Sequence, residues 1–446
     1  METTRWVTTL TVVMFSASGC ARLLGIDEGR LGEDGGTGGT SGTSGTSGTG
    51  GTGACDGGKT CGQLCVPIDD PAYGCAADFC EPCWIPGAVA KCSGGACAVA
   101  QCKPGFADCD GSAGNGCEVG LAIDDENCGQ CKRSCGGASC VAGTCSPVVI
   151  AVKQSNPYAV AVNTTHVYWT NAGGAGSLLR LAHGDAGKPA EVEMLFSGGA
   201  KGDIALDQTH VYWADEITGK LRRLTTKSPG TVEEIGSGTR CQGVALDETY
   251  VYWTSAGTPG QIDGTVSRAP KAGGTSVVLA SGLDSPWILA LDTSHAYWTS
   301  FEQGSVMRVP KSGGSVQQLA PGNNPNSGVG FRGWGLAILQ NSVYWLDSPL
   351  LRQIAKDGSA SPITLGDTYP NSRFMTTDGA LMVWTSSATT LWASLASDFG
   401  KTSPVITSQE SPHGVALDGS FVYWTEWGKT ADTGGVFKIA RPPGGE

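Results

Sequence analysis

One short segment recurs along the last two thirds of the chain. The clearest copies read AVAVNTTHVYWT (159–170), DIALDQTHVYWA (203–214), GVALDETYVYWT (243–254) and ILALDTSHAYWT (288–299). Three weaker copies read GLAILQNSVYWL (335–346), FMTTDGALMVWT (374–385) and GVALDGSFVYWT (414–425), and successive tryptophans lie 39 to 47 residues apart. Short alternating apolar runs with glycine and aspartate turns at such a period are typical of four-stranded propeller blades. We therefore predict an all-β fold, a β-propeller, for residues 146–446.

The two ends of this region predict how the propeller closes. The last copy has a third strand, at 435–439, but no fourth, whereas an extra strand at 147–152 precedes the first copy. If that N-terminal strand completes the last blade, the ring has seven blades and no open sheet edge. Six blades with one divergent hairpin is the alternative. The seven repeated tryptophans are expected to pack between adjacent blades.

The repeated Tyr-Trp-Thr motif resembles the YWTD repeats of low-density-lipoprotein receptors and of related bacterial propellers. The likeness covers residues 146–446, and it depends on repetition rather than on any one copy. No copy carries the four-residue motif in full, and seven copies occur where the receptor family usually has six blades. The resemblance implies a propeller for this region.

The residue just before each inner strand is expected to face the mouth of the central channel. Unlike the Tyr-Trp pair, this position changes in nearly every copy, and Gly202 occupies it in the second. Aromatic, amide, guanidinium and imidazole groups around one opening would suit a sugar or a peptide end. We predict a ligand site there, formed by Tyr158, Gln242, Trp287, Trp334, Arg373 and His413. The alternative is that these side chains only plug the channel.

The N-terminus has the features of an export signal. Residues 1–20 carry Arg5, an apolar stretch and small residues before Cys20, and Ala17-Ser18-Gly19-Cys20 resembles the bacterial lipobox. The apolar stretch is shorter than the roughly 20 residues that span a bilayer. We predict that Cys20 is lipidated and anchors the protein to the bacterial outer membrane or cell surface; secretion without a lipid is the alternative. Residues 21–54, rich in glycine, serine and threonine, are predicted to be a flexible linker.

Residues 55–145 contain sixteen of the 18 cysteines and few large apolar side chains. An even, dense cysteine set in an exported chain indicates a disulfide framework, so we predict eight disulfides, with Cys241 as a free thiol. The stretch NCGQCKRSCGGASCVAGTC resembles small cysteine-rich modules of the Stig1 type. Zinc bound by the pairs Cys80/Cys83 and Cys128/Cys131 is the alternative.

One loop of this cysteine-rich module carries oxygen ligands of the kind that calcium prefers. The stretch ADCDGSAGNGCE offers Asp108, Asp110, Asn115 and Glu118. Its spacing differs from that of an EF-hand, and a turn between disulfides would use the same residues. Calcium is therefore a candidate only, and no cofactor is predicted.

Charge and motifs narrow the function. The net charge is −12 and no lysine- or arginine-rich block occurs, which argues against nucleic-acid binding. No Gly-x-Ser-x-Gly elbow is present, and the predicted ring at the mouth has no carboxylate. We therefore predict a non-enzymatic binding or adhesion lipoprotein whose partner is a protein, a peptide or a carbohydrate. The alternative is a metal-dependent propeller enzyme, a lactonase or a streptogramin lyase.

Overall fold

The computed structural model describes residues 55–442, apart from 56, 77, 79, 113, 187–190, 228–229, 323–332, 348, 367–371, 387–389 and 396–401. The predicted signal segment (1–20), Cys20 and the linker (21–54) lie outside the described residues. Cys55–Glu446 forms one compact unit. Within the described residues, no helix is long and apolar enough to cross a bilayer.

Seven four-stranded antiparallel sheets form the blades of a propeller, as predicted. The strands are given from the inner to the outer one. Blade 1 consists of Pro157–Val162, His166–Asn171, Ser177–Ala182 and Glu193–Ser197, and blade 2 of Ile204–Leu206, His210–Asp215, Lys220–Thr225 and Glu233–Ser237. Blade 3 consists of Cys241–Leu246, Tyr250–Ser255, Gly264–Pro270 and Val277–Leu283, and blade 4 of Pro286–Leu291, His295–Ser300, Val306–Pro310 and Gln317–Ala320. Blades 5 and 6 consist of Gly333–Leu339, Ser342–Asp347, Leu350–Ala355 and Ile363–Gly366; and Met375–Thr377, Leu381–Ser386, Thr390–Leu395 and Thr402–Ile406. Neighbouring inner strands contact one another around the whole ring.

The seventh blade is built from both ends of the propeller region. It consists of Pro412–Leu417, Phe421–Glu426 and Gly434–Ala440, with Val148–Gln154 as its outer strand. Val436 pairs with Ala151, and Ile150 and Ala151 are buried on that strand. The predicted closure by the N-terminal strand and the count of seven blades are therefore confirmed.

The repeated tryptophans are the largest buried side chains of the propeller. All seven have less than 2% of their surface exposed. Trp213 of blade 2 lies 5.3 Å from Phe196 on the outer strand of blade 1, measured between ring centroids. A Cβ atom on Gly236, in the outer strand of blade 2, would lie 2.6 Å from the ring of Trp253 in blade 3. For these two junctions, the predicted packing of tryptophans between blades is confirmed.

The cysteine-rich module is held by disulfides around short hairpins. Its strands are Gly58–Cys61, Leu64–Pro67, Ala88–Ser93, Ala96–Cys102, Phe106–Ala107, Val119–Gly120, Cys140–Val141 and Thr144–Cys145; Pro71–Tyr73 is a 3₁₀ turn, as is His183–Asp185 in the propeller. The eight predicted disulfides are present and link 55–65, 61–80, 75–92, 83–97, 102–117, 109–131, 128–140 and 135–145. Cys241 is free and buried, as predicted, and each cysteine of the CxxC pairs is in a disulfide. So many disulfides are typical of exported proteins.

The module packs on the last blade of the propeller. The Arg133 guanidinium Nε donates to the carbonyl of Arg441 at 3.0 Å. Gly136 has a positive φ of 61°, and a Cβ atom there would lie 2.2 Å from the ring of Phe421. Only glycine allows this turn to approach the aromatic ring so closely.

Candidate functional site

The predicted mouth residues lie in bulges at the start of the inner strands. The pairing of the inner and second strands shifts between Pro157 and Val160 in blade 1, and it shifts at the same place in blades 3, 4, 5 and 7. A bulge inserts an extra residue, bends the strand and re-aims a side chain. The bulges contain five of the six predicted residues: Tyr158, Gln242, Trp287, Trp334 and His413.

In four blades, the repeated threonine joins the start of the inner strand to the next blade. In blade 3 the Thr254 hydroxyl accepts a hydrogen bond from the Gly243 N–H at 2.9 Å and donates to the carbonyl of Trp287 in blade 4 at 2.6 Å. Thr170, Thr385 and Thr425 make the same pair of bonds in their blades. The threonine of the Tyr-Trp-Thr motif thus positions the backbone of a mouth residue in the following blade, which explains why it recurs while the mouth residue varies.

Aromatic side chains from five blades meet at this end of the channel. The rings of Tyr158 and His413 lie 4.6 Å apart, those of Trp287 and Trp334 lie 5.9 Å apart, and Trp334 lies 6.4 Å from His413, all measured between centroids. The guanidinium of Arg373 lies 5.3 Å from the centre of the Trp334 ring. The structure therefore brings these five predicted residues together in one group, which we call the mouth cluster.

Three aromatic residues that the sequence reasoning missed belong to the mouth cluster. Phe301 stacks on Trp287 at 4.4 Å, Trp427 lies 5.1 Å from His413, and Phe374 lies 5.0 Å from His413. Phe301 and Trp427 each stand two residues after the repeated threonine, where two other blades have alanine. That departure from the repeat was the signal that could have revealed them.

A carboxylate lies next to the predicted ring, although none of the ring positions carries one. Asp203 directly follows Gly202, and its carboxylate accepts hydrogen bonds from the N–H groups of Ile204 at 2.9 Å and Val244 at 3.4 Å. Burial raises the pKa of Asp203 to about 6. Burial, and then the charges of Asp203 and Glu216, raise the pKa of Tyr158. Asp203 was not among the predicted residues because it lies one residue beyond the ring position of blade 2.

His413 is held neutral inside the mouth cluster. It is 1% exposed, and its Nδ1–H donates to the carbonyl of Tyr158 at 2.9 Å. Burial lowers its pKa to about 3, and the charge of Arg373 contributes. A neutral imidazole with Nδ1 protonated leaves Nε2 as an acceptor or base.

The sixth predicted residue, Gln242, lies in the bulge of blade 3 and is 2% exposed. Within the described part of the chain, its side-chain amide Nε2 is buried without a hydrogen-bond partner. Buried polar groups are normally paired, because an unpaired one costs about 1 to 3 kcal/mol. This amide could therefore be satisfied by a bound ligand or by water.

The candidate calcium loop brings its acidic oxygens together. Ligand atoms of Asp108, Asp110 and Glu118 lie within 4.8 Å of one another, and Asn115 donates to the Asp110 carboxylate at 3.0 Å. Backbone N–H groups already donate to these carboxylates, as they do in an ordinary turn, and such a bond from Ser112 lowers the pKa of Asp110. Calcium binding here stays a prediction.

Comparisons with known proteins concern the fold. No protein-family model matches the chain, and no curated protein matches its sequence. Among solved structures, it is similar to virginiamycin B lyase from Staphylococcus aureus, with a TM-score of 0.53, 14% identity, and coverage of 67% of this chain and 99% of that one. A streptogramin B lyase structure gives a TM-score of 0.51, 13% identity, and coverage of 66% and 97%.

A weaker similarity involves the nidogen/laminin complex, with 20% identity, coverage of 53% of this chain and 92% of that one, and a TM-score of 0.40. That score is too low to support a shared fold. The similarity to the two lyases, at 13% and 14% identity, carries no conclusion about activity. What this chain shares with the two lyases is the β-propeller fold.

Proposed function

We propose that this chain is an exported binding protein that takes its ligand at the channel mouth. The observation that supports this most is the group of aromatic rings from several blades at the channel mouth. Gln242, in the bulge of blade 3, adds a buried amide donor that has no partner among the described residues. Positions that only build a blade repeat, whereas the mouth positions do not.

The chemistry of the mouth cluster suits a sugar ring or the carboxylate end of a peptide. Aromatic faces stack on the apolar face of a sugar, and amide and indole N–H groups donate to hydroxyl or carbonyl oxygens. Arg373 adds a guanidinium for a carboxylate, and it already lies against the half-buried Trp334. Trp334 and Arg373 are partly exposed, as are Phe301 and Trp427, so a ligand can reach their side chains.

We further propose that the propeller is held at the bacterial surface through a lipid on Cys20, with residues 21–54 as its tether. The repeated Tyr-Trp-Thr motif and the disulfide framework support an extracellular setting, consistent with the resemblance to YWTD propellers and Stig1-type modules. A protein anchored in this way would present the mouth to soluble or cell-bound ligands.

Glycan and peptide arrays, probed with the mature protein and its variants, would test this proposal. Trp334→Ala and Arg373→Ala should abolish the signal with little change in melting temperature. Trp84→Ala is the matched control, because Trp84 is 82% exposed and lies in the cysteine-rich module. Binding that survives both mouth substitutions would place the site elsewhere. Trp287 is buried and stacks on Phe301, so Trp287→Ala should lower stability as well as binding.

The second candidate is a propeller lyase. It is favoured by the fold shared with virginiamycin B lyase and by the combination of neutral His413 with Asp203 in the channel. A catalytically inactive variant of that lyase has been solved with quinupristin. Measuring turnover of quinupristin and of lactones by this protein, with and without magnesium, would decide between a binding protein and a lyase. Turnover that is lost in His413→Ala would replace the binding proposal.

A further inference from the structure

A repeated ion pair joins neighbouring blades where the inner strands end. In blade 3, the Asp247 carboxylate in the turn after the inner strand accepts the hydroxyl of Tyr252 at 2.8 Å. It also pairs with the ammonium of Lys311, which directly follows the third strand of blade 4, at 3.1 Å. The same pair links Asp207 to Lys271 at 3.1 Å and Asp292 to Lys356 at 3.3 Å, and Arg441 pairs with Asp378 in the same way.

The junction between blade 7 and blade 1 departs from this pattern. Asp418 has the same surroundings as the other aspartates: it accepts the Tyr423 hydroxyl at 2.7 Å and the N–H groups of Ser420 and Phe421. Blade 1, however, has His183 at the position where blades 3, 4 and 5 have lysine and blade 7 has arginine. The imidazole Nε2 of His183 donates instead to the carbonyl of Asn163 at 2.7 Å. Among the residues that the structure describes, no basic side chain lies within 4.0 Å of the Asp418 carboxylate.

A cavity of about 530 Å³ lies where a lysine side chain would reach. Its lining includes Asn163, His183, Asp418, Phe421, Tyr423 and Lys438. Histidine is shorter than lysine and is turned aside here, so it leaves the space unfilled. The volume is within the range of about 300 to 1,000 Å³ that is usual for small-molecule sites.

Lys438 places an ammonium in the same cavity. Its side chain is 7% exposed, and its Nζ lies 4.4 Å from the centre of the Phe421 ring. The equivalent Arg180 in blade 1 donates to the carbonyl of Thr226 in blade 2 at 2.7 Å, but Lys438 forms no hydrogen bond or ion pair with the described residues. Burial lowers the pKa of Lys438, although the charge of Asp418 opposes this. Because the Lys438 ammonium lines the cavity and has no hydrogen-bonding partner among the described residues, it can pair with an anionic group of a ligand there.

We propose that this cavity binds a small molecule that carries both a primary ammonium and a carboxylate. The ammonium takes the place that lysine occupies at three other junctions, between Asp418 and the Tyr423 hydroxyl, while the carboxylate pairs with Lys438. The methylene chain between them packs on Phe421. The site is separate from the mouth cluster, because it lies where the inner strands end and the mouth lies where they begin.

Calorimetric titration of the mature full chain with 6-aminohexanoate would test the assignment. Pentylamine and hexanoate each carry one of the two groups, and we expect both to bind at least tenfold more weakly. Equal binding of pentylamine would overturn the role given to Lys438, and equal binding of hexanoate would overturn that of Asp418. Absence of measurable binding of 6-aminohexanoate would overturn the site itself.

Variants separate binding from folding. His183→Lys supplies the missing lysine from the chain, so it should weaken 6-aminohexanoate binding at least tenfold while the melting temperature stays the same or rises. His210→Lys adds a lysine at a blade junction whose aspartate is already paired, and it should leave binding unchanged. Asp418→Asn and Lys438→Met should each weaken binding at least tenfold. Unchanged binding in His183→Lys would contradict the proposal, and Trp334→Ala should have no effect, which distinguishes this site from the mouth.

Discussion

Replacing Ile150 by alanine tests whether the N-terminal strand carries the closure of the ring. Ile150 is 1% exposed and packs in a cluster with Val160, Trp169 and Val436, so it joins blade 7 to blade 1. The substitution removes three carbon atoms from this cluster, worth about 2.4 kcal/mol at about 0.8 kcal/mol each. A residual cavity adds to this cost, and Ile→Ala changes in cores cost about 2 to 5 kcal/mol. We expect a loss of about 3 to 4 kcal/mol in the free energy of unfolding.

The matched control lies two residues further along the same strand. Val152 is 42% exposed, so Val152→Ala should change the free energy of unfolding by less than about 1 kcal/mol. Both variants would be unfolded in urea and followed by tryptophan fluorescence, for which Trp169 in the same cluster is a direct probe. The dependence of unfolding free energy on urea concentration should stay constant, because the surface exposed on unfolding is nearly the same.

The two variants together test whether the N-terminal strand contributes to the closure of the ring. If Ile150→Ala costs no more than Val152→Ala, the outer strand of blade 7 contributes little to the core and the closure argument is wrong. A chain that starts after Val152 should then also melt like the full propeller. If the closure matters, that truncated chain exposes the edge of Gly434–Ala440 and should aggregate or unfold without cooperativity.

Three further outcomes are expected. Cys20→Ser should release the protein from membranes, as measured by fractionation, and a variant still held in membranes would contradict lipidation. Because burial raises the pKa of Cys241 to about 11, a thiol reagent at pH 8 should label the native protein slowly. After denaturation without reduction, the mature chain should be labelled at one site, and labelling at many sites would contradict the eight disulfides. The Asp203 carboxyl binds its proton more tightly in the folded protein, so its contribution to the free energy of unfolding is full at low pH and is lost as the pH rises through about 6. Asp203→Asn should remove this pH dependence from urea unfolding curves. The same pH dependence in the variant and in the unaltered protein would refute the role given to Asp203.

The repeat predicted the blades because each copy must satisfy the same packing. Trp213 and Trp253 fill the same place at successive junctions, so their spacing carried the fold. The ring closure could be predicted too, since a missing strand at one end matched a surplus strand at the other. The disulfide pairing could not, because sixteen cysteines allow very many pairings that only the path of the chain can select.

The site was harder to predict than the fold because its residues do not repeat. The sequence identified the bulge position, which includes Tyr158 and Trp287, but Phe301 enters from the turn after the second strand and Asp203 from one residue further along the inner strand. Which turns lie beside the channel depends on blade tilt and loop path, and these are set by packing rather than by any local pattern. Side chains were therefore missed wherever the site extended beyond a single repeat position.

Departures from the repeat have two different origins in this ring. At the mouth, variation costs no blade contact, because the threonine of the preceding blade binds the carbonyl of the mouth residue and not its side chain, as Thr254 does with Trp287. At the junction of blades 7 and 1, variation removes a contact: His183 replaces lysine while Asp418 and Tyr423 keep the arrangement that would receive it. At the junction of blades 1 and 2, by contrast, the aspartate and the lysine are lost together, as Asn163 and Thr226. Asp418 thus keeps its hydrogen bonds without the ion pair that its counterparts form, and this is the arrangement that the ammonium of the proposed ligand requires.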